Sequence, residues 1–121
     1  MSILSWHCRG QLNDLCARIA EWGLKKSFVT NWGNVPEKLM LVVTELSEAM
    51  EAYRHIAWSL DLVEEPKPQE NEVAANFREE IADAAIRIFH LAAALGIDLE
   101  DEIDKKMSVN EKRPRKHGKN C

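Results

Sequence analysis

Between Ile81 and Ile97 the chain reads IADAAIRIFHLAAALGI, a stretch that is almost wholly apolar and rich in Ala and Leu. These residues are strong helix formers, and a helix that is greasy nearly all round is stable in water only when other helices surround it. The run is too short and too often interrupted by charge to read as a membrane span. Sparse β-branched residues, with only five glycines and four prolines, extend the helical preference to the rest of the chain. The expected fold class is therefore all-α. At 121 residues the expected organisation is one domain spanning 1–121. A core this small is often completed by oligomerisation.

The remaining elements follow from periodicity. Leu4, Leu12, Leu15, Cys16, Ile19 and Trp22 recur at helical spacing, predicting a first helix over about 2–22, capped by Ser2 or Ser5 and ended by Gly23. The segment 24–35 is rich in Ser, Thr, Asn and Gly and reads as a loop with Trp32 in its middle. Pro36 opens a second helix whose apolar face runs from Leu39 to Tyr53 and which reaches His55 or a little further. The prolines and charges of 61–72 make an exposed connector. The third helix starts near 72–76 and stops at Gly96. Asp98 caps a fourth, with Asp101 at its third position, acids solvating its first turn, and Lys105 and Lys106 in its last turn. The tail, about 110–121, is basic and reads as irregular and partly flexible.

The net charge is -4, yet seven of the sixteen Lys and Arg residues lie between Lys105 and Lys119, so the body is strongly acidic. An acidic body argues against binding a nucleic-acid polymer. Cys8, Cys16 and Cys121 form no CxxC pair, which excludes a zinc knuckle or redox motif and fits free thiols in a reducing compartment. No signal-peptide pattern opens the chain, so a cytoplasmic setting is expected, without membrane attachment.

Acids interrupt the two most apolar helices in a regular way. Glu45 and Glu48 lie within VVTELSEAM, and Glu80 and Asp83 within EEIADAAIRIF. Each pair is spaced i, i+3 and so projects from one helix face. Ionised carboxylates among apolar residues need a partner. If the two helices pack together, each pair of like charges at about 4 Å is destabilising by on the order of 4 kcal/mol at an effective dielectric near 20. A divalent cation removes that repulsion, and oxygen ligands without His or Cys favour Mg²⁺, with Mn²⁺ as a substitute. The competing reading is that both pairs are solvated helix faces, since such spacings also arise by chance. Glu80, Asp83, Arg87 and His90 form one polar stripe, in which Arg87 either neutralises acids, the favoured reading, or reaches a phosphate, and His90 is a core or interface residue.

These motifs resemble the MazG-like nucleotide pyrophosphohydrolases, the all-α NTP pyrophosphatase superfamily. The likeness rests on Glu45-Leu46-Ser47-Glu48, on Glu80-Ile81-Ala82-Asp83, and on Lys106, Asn110 and Arg113 near the end, and covers about 36–119. It implies a bundle of four to five helices completed as a homodimer or homotetramer. It also implies Mg²⁺ held by Glu45, Glu48, Glu80 and Asp83, and cleavage of a nucleoside triphosphate to the monophosphate and pyrophosphate. The implied role is cleaning of nucleotide pools, with a preference for deoxynucleotides. Lys106, Asn110 and Arg113 become contacts to phosphate or sugar. Many members carry a further acid just before the first pair, where this chain has Thr44. Trp32, and after it Trp6, are candidates to stack on the base, while Tyr53 and Trp58 suit the core or an interface. The alternative is a non-enzymatic helical oligomerisation or interaction module. A ferritin-like di-iron bundle is disfavoured, because no acid has a histidine three residues later.

Overall fold

Val42, Glu45, Ala49, Ala52 and Ile56 are all buried and recur at alternating steps of three and four, the spacing of a seam along one helix face. They belong to α2, Val35–Ser59, which packs along α3, Glu72–Ala94, in the most extensive contact of the fold. Ala74, Ala84 and Ala92 are the buried residues of α3, so small side chains on both helices allow close approach. In this computed structural model, which describes residues 10–59 and 72–114 (side chains of 57–59 apart), two further helices complete the set. These are α1, Gln11–Lys25, and α4, Leu99–Lys112. No strand occurs among the described residues, as the all-α reading requires, and no described helix is long and apolar enough to cross a membrane.

The first helix differs from expectation at both ends. Gly10 adopts a left-handed conformation (φ 86°), so no helix runs through it from residue 2. Ser2, Ser5 and Trp6 lie outside the described residues. At the other end α1 continues past Gly23, which is buried within the helix. The glycine is there for contact rather than termination: a Cβ on Gly23 would lie 2.5 Å from Nε2 of His90 on α3. The actual stop is Ser27, at φ 61°, with Phe28 N–H donating to Gly23 C=O at 2.9 Å and Ser27 N–H to Leu24 C=O at 3.0 Å. This turn folds Phe28 back onto Trp22, edge to face, with ring centroids 5.8 Å apart.

Part of the expected loop is also ordered. Trp32–Asn34 is a 3₁₀ turn. The Asn31 side chain accepts from Gly33 N–H, and the Asn34 side chain accepts from Asn31 N–H while donating to Val29 C=O. The turn runs directly into α2, with Pro36 in its first turn.

Gly96, at φ 69°, ends α3 as expected, with Ile97 N–H donating to Ala92 C=O. Asp98 caps α4 by accepting from Asp101 N–H at 3.0 Å. The acids that follow are not all solvated. Glu100 is buried and caps α1, accepting from Gly10 N–H at 2.7 Å and from Leu12 N–H at 3.1 Å. Asn13 completes the joint, donating to Asp98 at 2.8 Å and accepting from Glu100 N–H at 3.2 Å. Asp104 is also buried. Helix α4 extends to Lys112, so the start of the expected tail is helical and Lys105 and Lys106 sit mid-helix. The connector at 61–71 and the tail beyond 114 lie outside the described residues.

The third helix is less enclosed than its composition predicts. In the single chain Ile81, Ile86 and Ile88 are exposed. The buried positions go to alanines instead, because close packing against α2 selects small side chains on that face.

Candidate active site

The face of α2 that packs on α3 carries Glu45 in the middle of its apolar seam. Only 7 % of this residue is exposed, and Glu48 follows one turn later at the solvent edge. Glu80 of α3, half-buried, meets both, and one oxygen from each of Glu45, Glu48 and Glu80 lies within 4.8 Å of the others. The helices run antiparallel here, because Glu45 on α2 reaches Arg87 on α3 while Glu48 faces Glu80.

Arg87 Nε donates to Glu45 Oε1 at 2.7 Å. That guanidinium holds the Glu45 carboxyl below its ordinary range against the opposing effect of burial. Glu80 goes the other way. Burial, reinforced by the neighbouring Glu48 and Glu45, pushes its pKa up to about 7. Its Oε2 is buried and makes no hydrogen bond. Buried polar atoms are nearly always paired, so an orphaned carboxylate oxygen facing two other carboxylates fits a hard divalent cation.

Asp83 stands outside that trio. It lines the adjoining cavity of about 450 Å³, together with Glu45 and Arg87. Ile19, Trp22, Phe28, Leu41, Ile86 and Leu91 form the cavity's apolar wall. Thr30, Lys38 and His90 contribute polar groups, with Thr30 Oγ1 3.3 Å from His90 Nδ1. Burial and the nearby Lys38 charge hold His90 below its usual pKa, which favours the neutral imidazole. The volume falls within the roughly 300–1,000 Å³ of small-molecule pockets.

The other sequence candidates lie elsewhere. Trp32 is 72 % exposed at the 3₁₀ turn and does not line the cavity. Lys106 and Asn110 are on the exposed face of α4, and Arg113 follows its end; none of the three lines the cavity either. Thr44 is exposed and donates to Met40 C=O at 3.0 Å. Tyr53 is 48 % exposed, on the outer face of α2 rather than in the core, and the Trp58 side chain is outside the described residues. Sequence reading missed Trp22, Phe28, Lys38 and His90 as cavity residues. The available signal was the shared face of Lys38, Leu41 and Glu45, spaced i, i+3 and i+7.

This is thus an all-α protein in which three converging carboxylates form a candidate cation site beside a cavity of mixed polarity. The chain belongs to the MazG-like family, whose model matches residues 42–121. No curated relative and no solved structure matches it. Membership supports nucleotide pyrophosphohydrolase activity at the level of the family. The matched segment contains all four acids but not α1, Thr30 or Lys38, so half of the cavity wall lies outside it.

Proposed function

We propose that this protein is a Mg²⁺-dependent nucleoside triphosphate pyrophosphohydrolase, with Mn²⁺ as a substitute metal. The orphaned Oε2 of Glu80, buried against Glu45 and Glu48, carries the reading. Glu45, Glu48, Glu80 and Asp83 are the proposed metal ligands and catalytic acids, Asp83 approaching from the cavity edge one turn further along α3. When bound, such an ion neutralises phosphate charge and lowers the pKa of water. Arg87 fixes Glu45 in place. Phosphoryl transfer depends on positioning and charge neutralisation more than on a strong nucleophile. Water forms a bond to the α-phosphorus, the bond from that phosphorus to the bridging oxygen breaks, and pyrophosphate leaves. The apolar wall of the cavity, with Trp22 and Phe28, receives the nucleoside. Lys106, Asn110, Arg113 and Trp32 remain proposed substrate contacts, supported by the family likeness for the first three and by aromatic exposure for Trp32. A preference for deoxynucleotides, a role in cleaning nucleotide pools and a cytoplasmic setting complete the proposal.

The same reading includes self-association. Leu39, Val43, Leu46, Met50 and Tyr53 lie on the outer face of α2 at steps of four and three, each exposed by about half (46–53 %). A regular apolar seam of this kind suits a second copy of the chain, as a homodimer or homotetramer. Sedimentation of the full chain tests this, with Leu46→Asp expected to dissociate the assembly.

Activity is tested by incubating the purified chain with dNTPs and NTPs in Mg²⁺ and identifying products. Monophosphate and pyrophosphate are expected, with Glu48→Gln and Asp83→Asn each losing most turnover. A diphosphate product would contradict the cleavage position. Absence of turnover and of metal binding would leave a helical interaction module as the better account.

A further inference from the structure

Lys38 is a half-buried cation in a cavity of mixed polarity, and no carboxylate among the described residues forms an ion pair with it. An ammonium offers three donors and no acceptor, so its ligand partner must present an acceptor. The carboxylates that share the cavity, Glu45 and Asp83, form no ion pair with Lys38. Lys38 precedes Glu45 by seven residues, about 10 Å along the helix axis at ~1.5 Å per residue. His90 follows Asp83 by seven on α3, so both antiparallel helices move from acids to the Lys38–His90 end over two turns. With the triphosphate at the acids, Lys38 and His90 stand where the far edge of the base arrives.

The His90 ring at that end is tightly fixed. Gly23 leaves room for it on one side, and Thr30 is bonded to its Nδ1 on the other. His90 is thus a positioning residue, tying the turn that carries Phe28 and Thr30 to α3, and Lys38 is the donor without an ion-pair partner among the described residues.

We propose that Lys38, backed by the His90–Thr30 pair, selects the base of the nucleotide by donating to a carbonyl oxygen on its far edge, so that thymine, uracil and guanine are accepted and cytosine and adenine are disfavoured. The proposal rests on the nucleotide reading of the preceding subsection. At that edge thymine and uracil present O4 and guanine O6, whereas cytosine and adenine present an amino group. An amino group facing an ammonium leaves two buried donors unpaired.

The test reads binding rather than turnover, so that it stands apart from the catalytic proposal. The full chain in Mg²⁺ is titrated by calorimetry with the non-hydrolysable α,β-imido analogues of dTTP, dCTP, dGTP and dATP. The dATP and dCTP analogues are expected to bind at least about tenfold more weakly than the dTTP and dGTP analogues, as a site built around a hydrogen bond penalises a ligand lacking it. Lys38→Met, checked for folding by circular dichroism, should weaken the dTTP and dGTP analogues by about tenfold and change the dATP and dCTP analogues by less than about twofold. Lys38→Arg keeps a donor and should retain the preference. Equal affinity of the wild type for all four analogues overturns the proposal. So does a Lys38→Met variant that loses affinity for every analogue and for inorganic tripolyphosphate in parallel, which would make Lys38 a phosphate contact. Base-selective binding without hydrolysis of the natural nucleotides would overturn the catalytic proposal and leave this one standing. Failure of all analogues to bind would remove both.

Discussion

Replacing Arg87 by Gln separates structural neutralisation of the acids from mere packing. The Arg87–Glu45 contact is a charge-assisted hydrogen bond of 2.7 Å, with the Glu45 side chain 10 % exposed and that of Arg87 40 % exposed. Hydrogen bonds to charged groups contribute roughly 1.5–3 kcal/mol, and the exposure of Arg87 argues for the middle of that range, about 2 kcal/mol. At ~2.1 cal/mol/K of unfolding entropy per residue, a 121-residue chain loses about 0.25 kcal/mol per degree, so Tm should fall by about 8 °C in EDTA. With saturating Mg²⁺ the cation takes over the neutralisation of Glu45, and the deficit should shrink to about 0.6 kcal/mol, or 2–3 °C. The ~1.4 kcal/mol recovered must reappear as about tenfold tighter Mg²⁺ binding by the variant, because the two effects are linked. Scanning calorimetry with and without metal, together with a Mg²⁺ titration, measures every side of the cycle. A deficit of the same size in EDTA and in Mg²⁺ would refute the reasoning, for Arg87 would then stabilise the fold without regard to the charge of the acids.

Three further outcomes follow from the structure. Glu80, raised from 4.5 to about 7, binds a proton in the folded metal-free protein that the unfolded chain has released. Its contribution to stability therefore falls as pH rises from about 4.5 to about 7. His90, lowered from 6.5, acts in the opposite direction below 6.5, and the depressed Glu45 acts only below 4.5. The difference between wild type and Glu80→Gln isolates Glu80: in EDTA the variant should gain relative stability across that window, and a flat difference would contradict the shift. Gly23→Ala should lower stability by ~1–3 kcal/mol through the clash with His90, despite the better helix propensity of Ala, and a Gly23→Ala/His90→Ala double variant should recover most of the loss in chemical denaturation. Glu100→Ala removes the acceptor of two amides at the start of α1 and should cost about 2 kcal/mol, with hydrogen exchange accelerated first at Leu12; unchanged protection there would deny the capping role.

Glu45 was legible because it breaks an apolar period, and a carboxylate at a core position signals itself in one dimension; Glu48 and Glu80 were legible through their i, i+3 spacing to Glu45 and Asp83. Gly96 and Asp98 were legible for the same local reason, since a cap is a property of a few adjacent residues. Glu100 was not, because its partners at Gly10 and Leu12 are about ninety residues away and the sequence shows only another acid in a helical first turn. Gly23 misled because glycine usually ends helices. The hint was its place in the series Leu12, Cys16, Ile19 and Gly23, which continues the inner face of α1 without a break in period. The reach of α4 to Lys112 was signalled by Pro114, which holds Arg113 in an extended conformation (ψ 140°) and marks the true stop. The cavity was invisible because three helices and a turn each supply a part of it.

Packing and chemistry share one cause. Glu45 occupies a seam position between Val42 and Ala49, and the facing α3 surface is lined by Ala84. Alanines let the two backbones approach, which buries Glu80 and brings it within range of Glu48 and Glu45, and both effects raise its pKa. Larger residues at 49 or 84 would hold the helices apart and relieve the repulsion, and would dismantle the cluster with it. The same antiparallel register that sets Glu48 against Glu80 sets Lys38 near His90, so the polarity of the cavity reverses along its length without any further device. A ligand that is anionic at one end, through a metal, and a neutral hydrogen-bond acceptor at the other satisfies both ends at once. A ligand charged along its whole length, or apolar along its whole length, satisfies only one. A nucleotide whose base carries a carbonyl on its far edge has that polarity, which is why the two proposals for this cavity are read from one arrangement of helices.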